Sequence, residues 1–426
     1  MLKSNIQWRK WLTLSLLIVG GGTIFKIYSL NAVFYIPMMD FMGLSNMQIG
    51  LMMTVYGFVQ TIGLVGAIYL SDRFSKKLMI PCGLIGVGIT GLYFCTFPSY
   101  PVILVLFGIF ALFGEVVYWP VLLKTVRLLG REDEQGRMFG FLEAGRGVVD
   151  TIVAFAALGI FAAMGSSLLG LKYAMIFFSV IPIVVGIVTY FFIEDDKINE
   201  FDSSGKKVGK NKATMDGVMR ALKMKEIWAV SFNIFAIYTI YCGLLSFMPF
   251  MREMYALPAT LIGAYGIINS YGLKMIGGPV GGFLVDKKFK SASKYLRVAL
   301  LVAAGAMVVI IFLPHRSLGP TIGMIVMLSF GAIIFTMRAV FFAPMEEVKV
   351  PRDISGGAMS IACFIGYMPS MFFYVIFGWL LDHTPGYGGY VHVFIIMIVF
   401  SLIGFVISSY LCRLIKKKNQ EAAAVN

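Results

Sequence analysis

The sequence predicts an all-α membrane protein with twelve transmembrane helices in two pseudo-symmetric six-helix bundles, and three observations carry that prediction. Hydrophobic residues make up 59% of the 426-residue chain and charged residues only 14%, against roughly 45–50% apolar content in soluble domains; mean hydropathy is +0.84. Apolar runs of about 20 residues recur from end to end, each long enough to cross a ~30 Å hydrocarbon core as a helix, and the strand alternation of a barrel is missing. One long polar stretch, 194–226, separates apolar material of nearly equal length. Its charge, Ser, Gly and Lys suit a linker in water. The expected division is therefore an N-terminal bundle (1–193), a linker (194–226) and a C-terminal bundle (227–426).

Six spans are expected at 12–37, 46–70, 78–97, 101–123, 137–163 and 168–193, and every second loop between them is basic. Lys3, Arg9 and Lys10 precede the first span; Arg73, Lys76 and Lys77 follow the second; Lys124, Arg127, Arg131 and Arg137 follow the fourth; the linker lysines follow the sixth. Six more spans are expected at 227–251, 258–285, 295–313, 318–343, 354–381 and 390–415. Their basic loops hold Lys287, Lys288, Lys290, Lys294 and Arg297, then Lys349 and Arg352, then Arg413, Lys416, Lys417 and Lys418. The alternate loops have little beyond Lys172, Arg252 and Arg316, and carry turn chemistry such as P-S-Y-P at 98–101 and T-P-G-Y-G-G at 384–389. By the positive-inside rule the linker and both termini are cytoplasmic, in a multi-pass protein of the cytoplasmic (inner) membrane. The net charge of +14 thus has a topological origin, and nucleic acid is not an expected partner.

No enzyme activity, cofactor or metal is expected. Cys82, Cys95, Cys242, Cys363 and Cys412 form no C-x-x-C pair and read as small core residues. His315, His383 and His392 fall at span ends or loops without ligand spacing. The first apolar run is too long for a cleavable signal and lacks a small-residue cleavage pattern. Gly20-Gly21-Gly22 reads as a pliable segment, and G-G-P-V-G-G at 277–282 as close packing with a bend. Neither precedes the G-K-[ST] of a phosphate loop.

Charge inside the membrane is the strongest functional signal. A charged group near the bilayer centre costs at least ~2.5–3.5 kcal/mol on insertion scales, so such residues face a cavity or a partner and mark a pathway. Here they are Lys26, Glu115, Glu143, Arg146, Asp150, Lys274 and Arg338. At ~1.5 Å per residue, Glu115 and Arg146 each lie about 14 Å from the nearest basic loop residue and are expected to meet near the midplane. Glu143, Arg146 and Asp150 share one helix face at i, i+3, i+7. Two readings stay open for Glu115 and Arg146: a structural lock, because removing one partner of a buried pair is destabilising, or a binding surface on which Arg146 is the main anion-gripping cation. Arg338 either snorkels and pairs with Glu346 and Glu347 or faces a cavity. Lys26 and Lys274 are too deep for easy snorkelling. The acidic loop Glu132-Asp133-Glu134 reads as a partner for neighbouring cations.

Two loops carry a family resemblance. S-D-R-F-S-K-K at 71–77 and G-F-L-V-D-K-K-F-K at 282–290 resemble the paired G-x-L-x-D-R/K motif of the major facilitator superfamily, with Ile68 where the family usually has Gly and Gly282 retained. Asp72, Arg73, Asp286 and Lys287 are then the expected gating residues. Within that superfamily, Y-G-F-V-Q at 56–60, Trp119-Pro120 and the run at 238–249 resemble the organophosphate:phosphate antiporter branch. That branch grips phosphate with one arginine in each of helices 1 and 7; Ser29 and Tyr241 stand at those places here, so the clamp is not copied. Arg146 aligns with a substrate-facing histidine of the branch. In the superfamily fold, helices 1, 4, 7 and 10 line the cavity, 2, 5, 8 and 11 flank it, and 3, 6, 9 and 12 face lipid, and the intramembrane charges obey that division.

The resemblance implies a secondary transporter working by alternating access, as does a two-halved membrane plan. The expected cargo is a small polar organic solute, more anionic than neutral: a sugar acid, a sugar phosphate or similar. Lys26, Arg146, Lys274 and Arg338 would bind its carboxylate, phosphate or sulfonate through charge-assisted hydrogen bonds. Tyr28, Trp119, Tyr238, Tyr241 and Tyr271 would wall its body. Glu115, Glu143 and Asp150 would carry protons if uptake is coupled to them rather than to a counter-transported anion. The expected partners are the solute and the lipid bilayer, and the chain is expected to act as a monomer. Neutral sugar transport and a non-transporting solute sensor are the alternatives.

Overall fold

The computed structural model describes residues 2–129, 134–193, 219–315, 317–351 and 354–425. Glu132, Asp133, Arg131, Arg316, Arg352 and most of the linker lie outside them. Among the described residues every regular element is a helix. The first span is bent by 62°, with α1 (Leu2–Thr23) and α2 (Asn31–Met42) on either side of the bend. The next spans are α3 (Asn46–Arg73) and α4 (Lys76–Phe94). The fourth joins α5 (Tyr100–Ala111) to α6 (Trp119–Leu129) through a π-helical segment, Leu112–Tyr118. Helices α7 (Gln135–Ala163) and α8 (Leu168–Phe192) follow.

After the linker, α9 (Lys225–Gly243) and α10 (Phe247–Tyr255) make one span. The eighth is interrupted: α11 (Ala259–Ile267), a π segment (Ile268–Gly272), α12 (Leu273–Phe283) and a second π segment (Leu284–Phe289). Then come α13 (Ala292–Phe312), α14 (Pro320–Val340), the short α15 (Pro344–Glu347), α16 (Ser355–Tyr367) with α17 (Phe373–His383), and α18 (Tyr387–Val425). Among the described residues, counting α1 with α2, α5 with α6, α9 with α10, α11 with α12, and α16 with α17 gives twelve helical segments at the expected places, of which nine, or ten with the bent first pair, are long and apolar enough to cross a membrane.

The chain packs as two compact units. One comprises the described residues of Met1–Ser45, Leu51–Asn199 and Pro258–Met275; the other comprises those of Asn46–Gly50, Glu200–Leu257 and Ile276–Asn426. In the first, α4 lies along α8 and α1 along α7. Glycine makes the α4–α8 seam close: a β-carbon on Gly186 would stand 2.8 Å from Ile85 Cγ1, and one on Gly88 2.6 Å from the Ser179 carbonyl oxygen. Helix α11 joins this unit because Gly263 lets it approach α2, where a β-carbon would stand 2.9 Å from the Val33 carbonyl oxygen.

In the second unit, α18 lies along α13 and α9; of the 277–282 glycines, Gly277 packs against Phe335 and Gly281 against the Thr336 carbonyl of α14, while Gly278 and Gly282 face open space. The first turn of α3 belongs to this unit. Asp382 of α17 accepts from Asn46 N (3.1 Å), Asn46 Nδ2 (2.8 Å) and Met47 N (2.7 Å), supplying from a distant part of the chain the cap that an exposed helix start requires.

The cysteines correct a sequence reading. Cys95 and Cys242 are buried, but Cys82 is exposed and Cys363 and Cys412 are partly so. Apolar segments of a membrane protein have an outer face turned to lipid, so hydrophobic context does not imply core.

Candidate functional site

Lys26 occupies the bend of the first span, where α1 has ended at Thr23 and regular geometry resumes only after Ser29. Its side chain is 1% exposed, and its ammonium lies 2.7 Å from Asp150 Oδ1 of α7. It also sits 3.2 Å from the centroid of the Tyr271 ring, a cation–π contact in a desolvated place. Tyr271 is carried by the π segment of the eighth span.

Arg146 lies one turn along α7 from Asp150. Its Nη1 donates to Glu143 Oε1 at 2.8 Å, its Nε donates to the Gly21 carbonyl at 3.1 Å, and its guanidinium carbon is 4.5 Å from the Trp119 ring centroid. The glycine run explains this seat. A β-carbon on Gly21 would stand 2.9 Å from Arg146 Cδ, and one on Gly22 2.8 Å from Val149 Cβ. Gly20-Gly21-Gly22, read in the sequence as a pliable segment, is therefore the trough in which α7 and its arginine lie.

The expected meeting of Glu115 and Arg146 is not formed as an ion pair, because Glu143, three residues back on the same helix, takes the arginine. Glu115 instead accepts from Tyr56 Oη at 2.9 Å, and Tyr56 stacks on Tyr28 with centroids 3.8 Å apart and planes 8° apart. Glu115 is 8% exposed and stands in the π-helical segment of the fourth span. The wider turn immediately precedes Trp119-Pro120, and Pro120 has no N–H to continue an i→i−4 ladder. The π segments at 112–118 and 268–272 thus carry polar side chains of this cluster, Glu115 and Tyr271, a local signal that hydropathy does not report.

The remaining expected residues are more dispersed. Lys274, at the start of α12, is exposed and acts electrostatically on both Lys26 and Glu115. Glu143 is half-exposed, with 54% of its side chain accessible. Asp286 and Lys287 are exposed on the π segment that ends the eighth span. Asp72 and Arg73 close α3, and their side chains lie outside the described ones.

A second constellation lies in the second unit. Arg338, in the last turn of α14, places its guanidinium carbon 3.8 Å from the Tyr241 ring centroid, 5.3 Å from that of Tyr238 and 5.9 Å from that of Phe335. Tyr367 closes on Tyr238 with centroids 5.0 Å apart. Arg338 does not pair with Glu346 or Glu347. Glu347 caps α13 instead, accepting from Ala292 N at 2.5 Å and Ser293 N at 3.0 Å. Among the described residues no carboxylate or carbonyl accepts from Arg338; its neighbours are aromatic rings.

His315, set aside in the sequence as a loop residue, is 5% exposed. Its Nε2 lies 2.7 Å from the Ile310 carbonyl oxygen and must donate to it, so Nδ1 accepts from Tyr255 Oη at 2.7 Å. Phe250 and Tyr387 flank the ring.

The Major Facilitator Superfamily profile matches residues 16–370. The chain belongs to the major facilitator superfamily. It is 45% identical over 416 residues to inner membrane protein YihN of Escherichia coli K12, covering 98% of both chains, and 28% identical over 386 residues to inner membrane protein YqcE of the same organism, covering 90% of both. Its fold matches that of a bacterial homologue of the human lysosomal transporter Spinster, solved in an inward-facing, unoccupied conformation, with a TM-score of 0.75 at 16% identity over 96% of this chain and 98% of that one. As a member of this superfamily the chain is a multi-pass membrane transporter, not an enzyme.

Proposed function

We propose that this transporter moves a small polar organic anion by alternating access across the cytoplasmic membrane, with both termini in the cytoplasm. The observation that carries the reading is Arg338. Arg338 is partly buried, and among the described residues its contacts are the rings of Tyr238, Tyr241 and Phe335 rather than a carboxylate, so its donors are open to an anionic ligand. Its guanidinium carbon lies 3.8 Å from the Tyr241 ring centroid, and a planar guanidinium can take a carboxylate, phosphate or sulfonate at two points. We assign the primary grip to Arg338 rather than Arg146, whose Nε and Nη1 already have acceptors. Tyr238, Tyr241 and Tyr367 then provide the wall for the solute's body. Lys26, Arg146, Lys274, Tyr28 and Trp119 make a second, largely internally paired polar surface in the other unit.

Glu115 is the proposed proton carrier. Asp150 and Glu143 each have a cation in contact, whereas Glu115 bonds the Tyr56 phenol and, among the described residues, is not held in a fixed ion pair. A neutral sugar would offer Arg338 hydroxyl acceptors without the charge assistance that an anion gives, which favours the anionic cargo. The reading is tested by thermal-shift screening of purified protein against sugars, sugar acids and sugar phosphates. Stabilisation by acids or phosphates, absent in Arg338→Gln, is expected; equal response to the neutral parent sugars would refute it.

A further inference from the structure

A groove of about 670 Å³ runs between α9 and α18, lined by Trp228, Ala229, Phe232 and Phe235 on one wall and by Phe400, Ile403 and Tyr410 among others on the opposite wall. Its walls are apolar, and Lys225 stands at one end. We infer that this groove is a binding site for one anionic phospholipid, with an acyl chain between the helices and the phosphate at the Lys225 end.

Length and charge point the same way. From Lys225 to Ala236 the α9 wall covers about 16 Å at 1.5 Å per residue, close to half of a ~30 Å hydrocarbon core, so the groove is as deep as one leaflet. Trp228 lies one turn in from Lys225 with its indole Nε1 donating to the Leu222 carbonyl at 2.8 Å, the amphipathic placement that aromatic residues take at the headgroup boundary. On α18 the groove-lining positions 403, 406, 407 and 410 follow helical periodicity, and Arg413 continues that face one turn beyond Tyr410. Lys223, Lys225 and Arg413 are all exposed at this end. The one acidic neighbour on α9, Glu226, is neutralised by Lys418 at 3.0 Å, and the same ammonium donates to the Val348 carbonyl at 3.0 Å. That bridge ties the end of α18 to the start of α9. Basic pockets between transmembrane helices on the positively charged side of a membrane protein select anionic headgroups in this manner.

The test uses full-length protein purified in detergent and stripped of lipid. Phosphatidylglycerol, phosphatidylcholine with the same acyl chains, and inorganic phosphate are added separately. Native mass spectrometry counts retained lipid and thermal unfolding reads its effect. One phosphatidylglycerol is expected to be retained and to raise the melting temperature, with phosphatidylcholine weaker and phosphate inert. Each basic residue near an anionic lipid contributes a factor of about five, so K225A/R413A should lower phosphatidylglycerol affinity roughly thirtyfold and leave phosphatidylcholine unchanged. Ala229→Trp should fill the groove and abolish retention of both. Equal retention of the two lipids by the wild-type protein would overturn the proposal, as would reproduction of the shift by inorganic phosphate alone.

Discussion

Replacing Lys26 by Met should unbalance the first unit in a way that a second change repairs. The ammonium has 1% and the Asp150 side chain 9% of its surface accessible, and they meet at 2.7 Å. Breaking a buried pair by removing one partner costs about 3–5 kcal/mol, because the other charge is left uncompensated, whereas replacing both by uncharged groups of similar volume is close to neutral. Lys26→Met also removes the cation from the Tyr271 ring, 3.2 Å from its centroid, an interaction of about 2 kcal/mol when desolvated. Asp150→Asn keeps that contact, so it should be the milder single change. At about 2–4 °C per kcal/mol for a unit of this size, Lys26→Met should melt roughly 10–28 °C early and Asp150→Asn roughly 6–20 °C early. The double variant should return most of the way to wild type. Thermal unfolding of the four proteins in one detergent is the assay. A double variant as unstable as Lys26→Met would refute the coupling and with it the assignment of this pair as a lock between the bent first span and α7.

Two further outcomes follow from capping and titration. Asp382→Ala removes three hydrogen bonds from the start of α3 and should cost about 1–2 kcal/mol, with faster hydrogen exchange at Asn46 and Met47; unchanged exchange there would contradict the cap. Burial holds the His315 imidazole below its ordinary titration range, so the native state favours the neutral ring while the unfolded chain takes up a proton near pH ~6.5. Its contribution to stability is full above about pH 6.5 and is lost as pH falls below it. The acid-induced drop in melting temperature should therefore shrink in His315→Gln, and an unchanged pH profile would remove His315 as its source.

The sequence made the membrane class and the twelve spans legible because long apolar helices and alternating basic loops are properties of composition along a line. Intramembrane charge pointed to Lys26, Glu115, Arg146, Asp150 and Arg338, the residues from which the proposed site is built. Pairing was harder to read. Depth alone set Glu115 opposite Arg146, but competition between acceptors is settled at the level of ångströms: Glu143 on the same helix reaches the arginine first, and the π turn gives Glu115 to Tyr56. Asp150 was legible as a member of the Arg146 face, yet its partner lies across the bend of the first span, which no periodicity announces. The Gly20-Gly21-Gly22 trough was visible as composition, and its purpose required knowing which helix lies against it. His315 gave no signal, since a lone histidine in a loop has no motif and its burial comes from Phe250, Tyr255 and Tyr387 closing around it.

The most direct test of the anion-carrier account is counterflow in vesicles, with the best-binding acid or sugar phosphate from the thermal-shift screen inside and its labelled form outside. Wild-type protein should accumulate label with saturable kinetics. Arg338→Lys keeps the charge but loses the planar fork, and hydrogen bonds to charged groups contribute about 1.5–3 kcal/mol each, so half-saturation should rise roughly tenfold or more while the variant still folds and orients normally. Undiminished counterflow in Arg338→Lys and in Arg338→Gln would contradict the central claim.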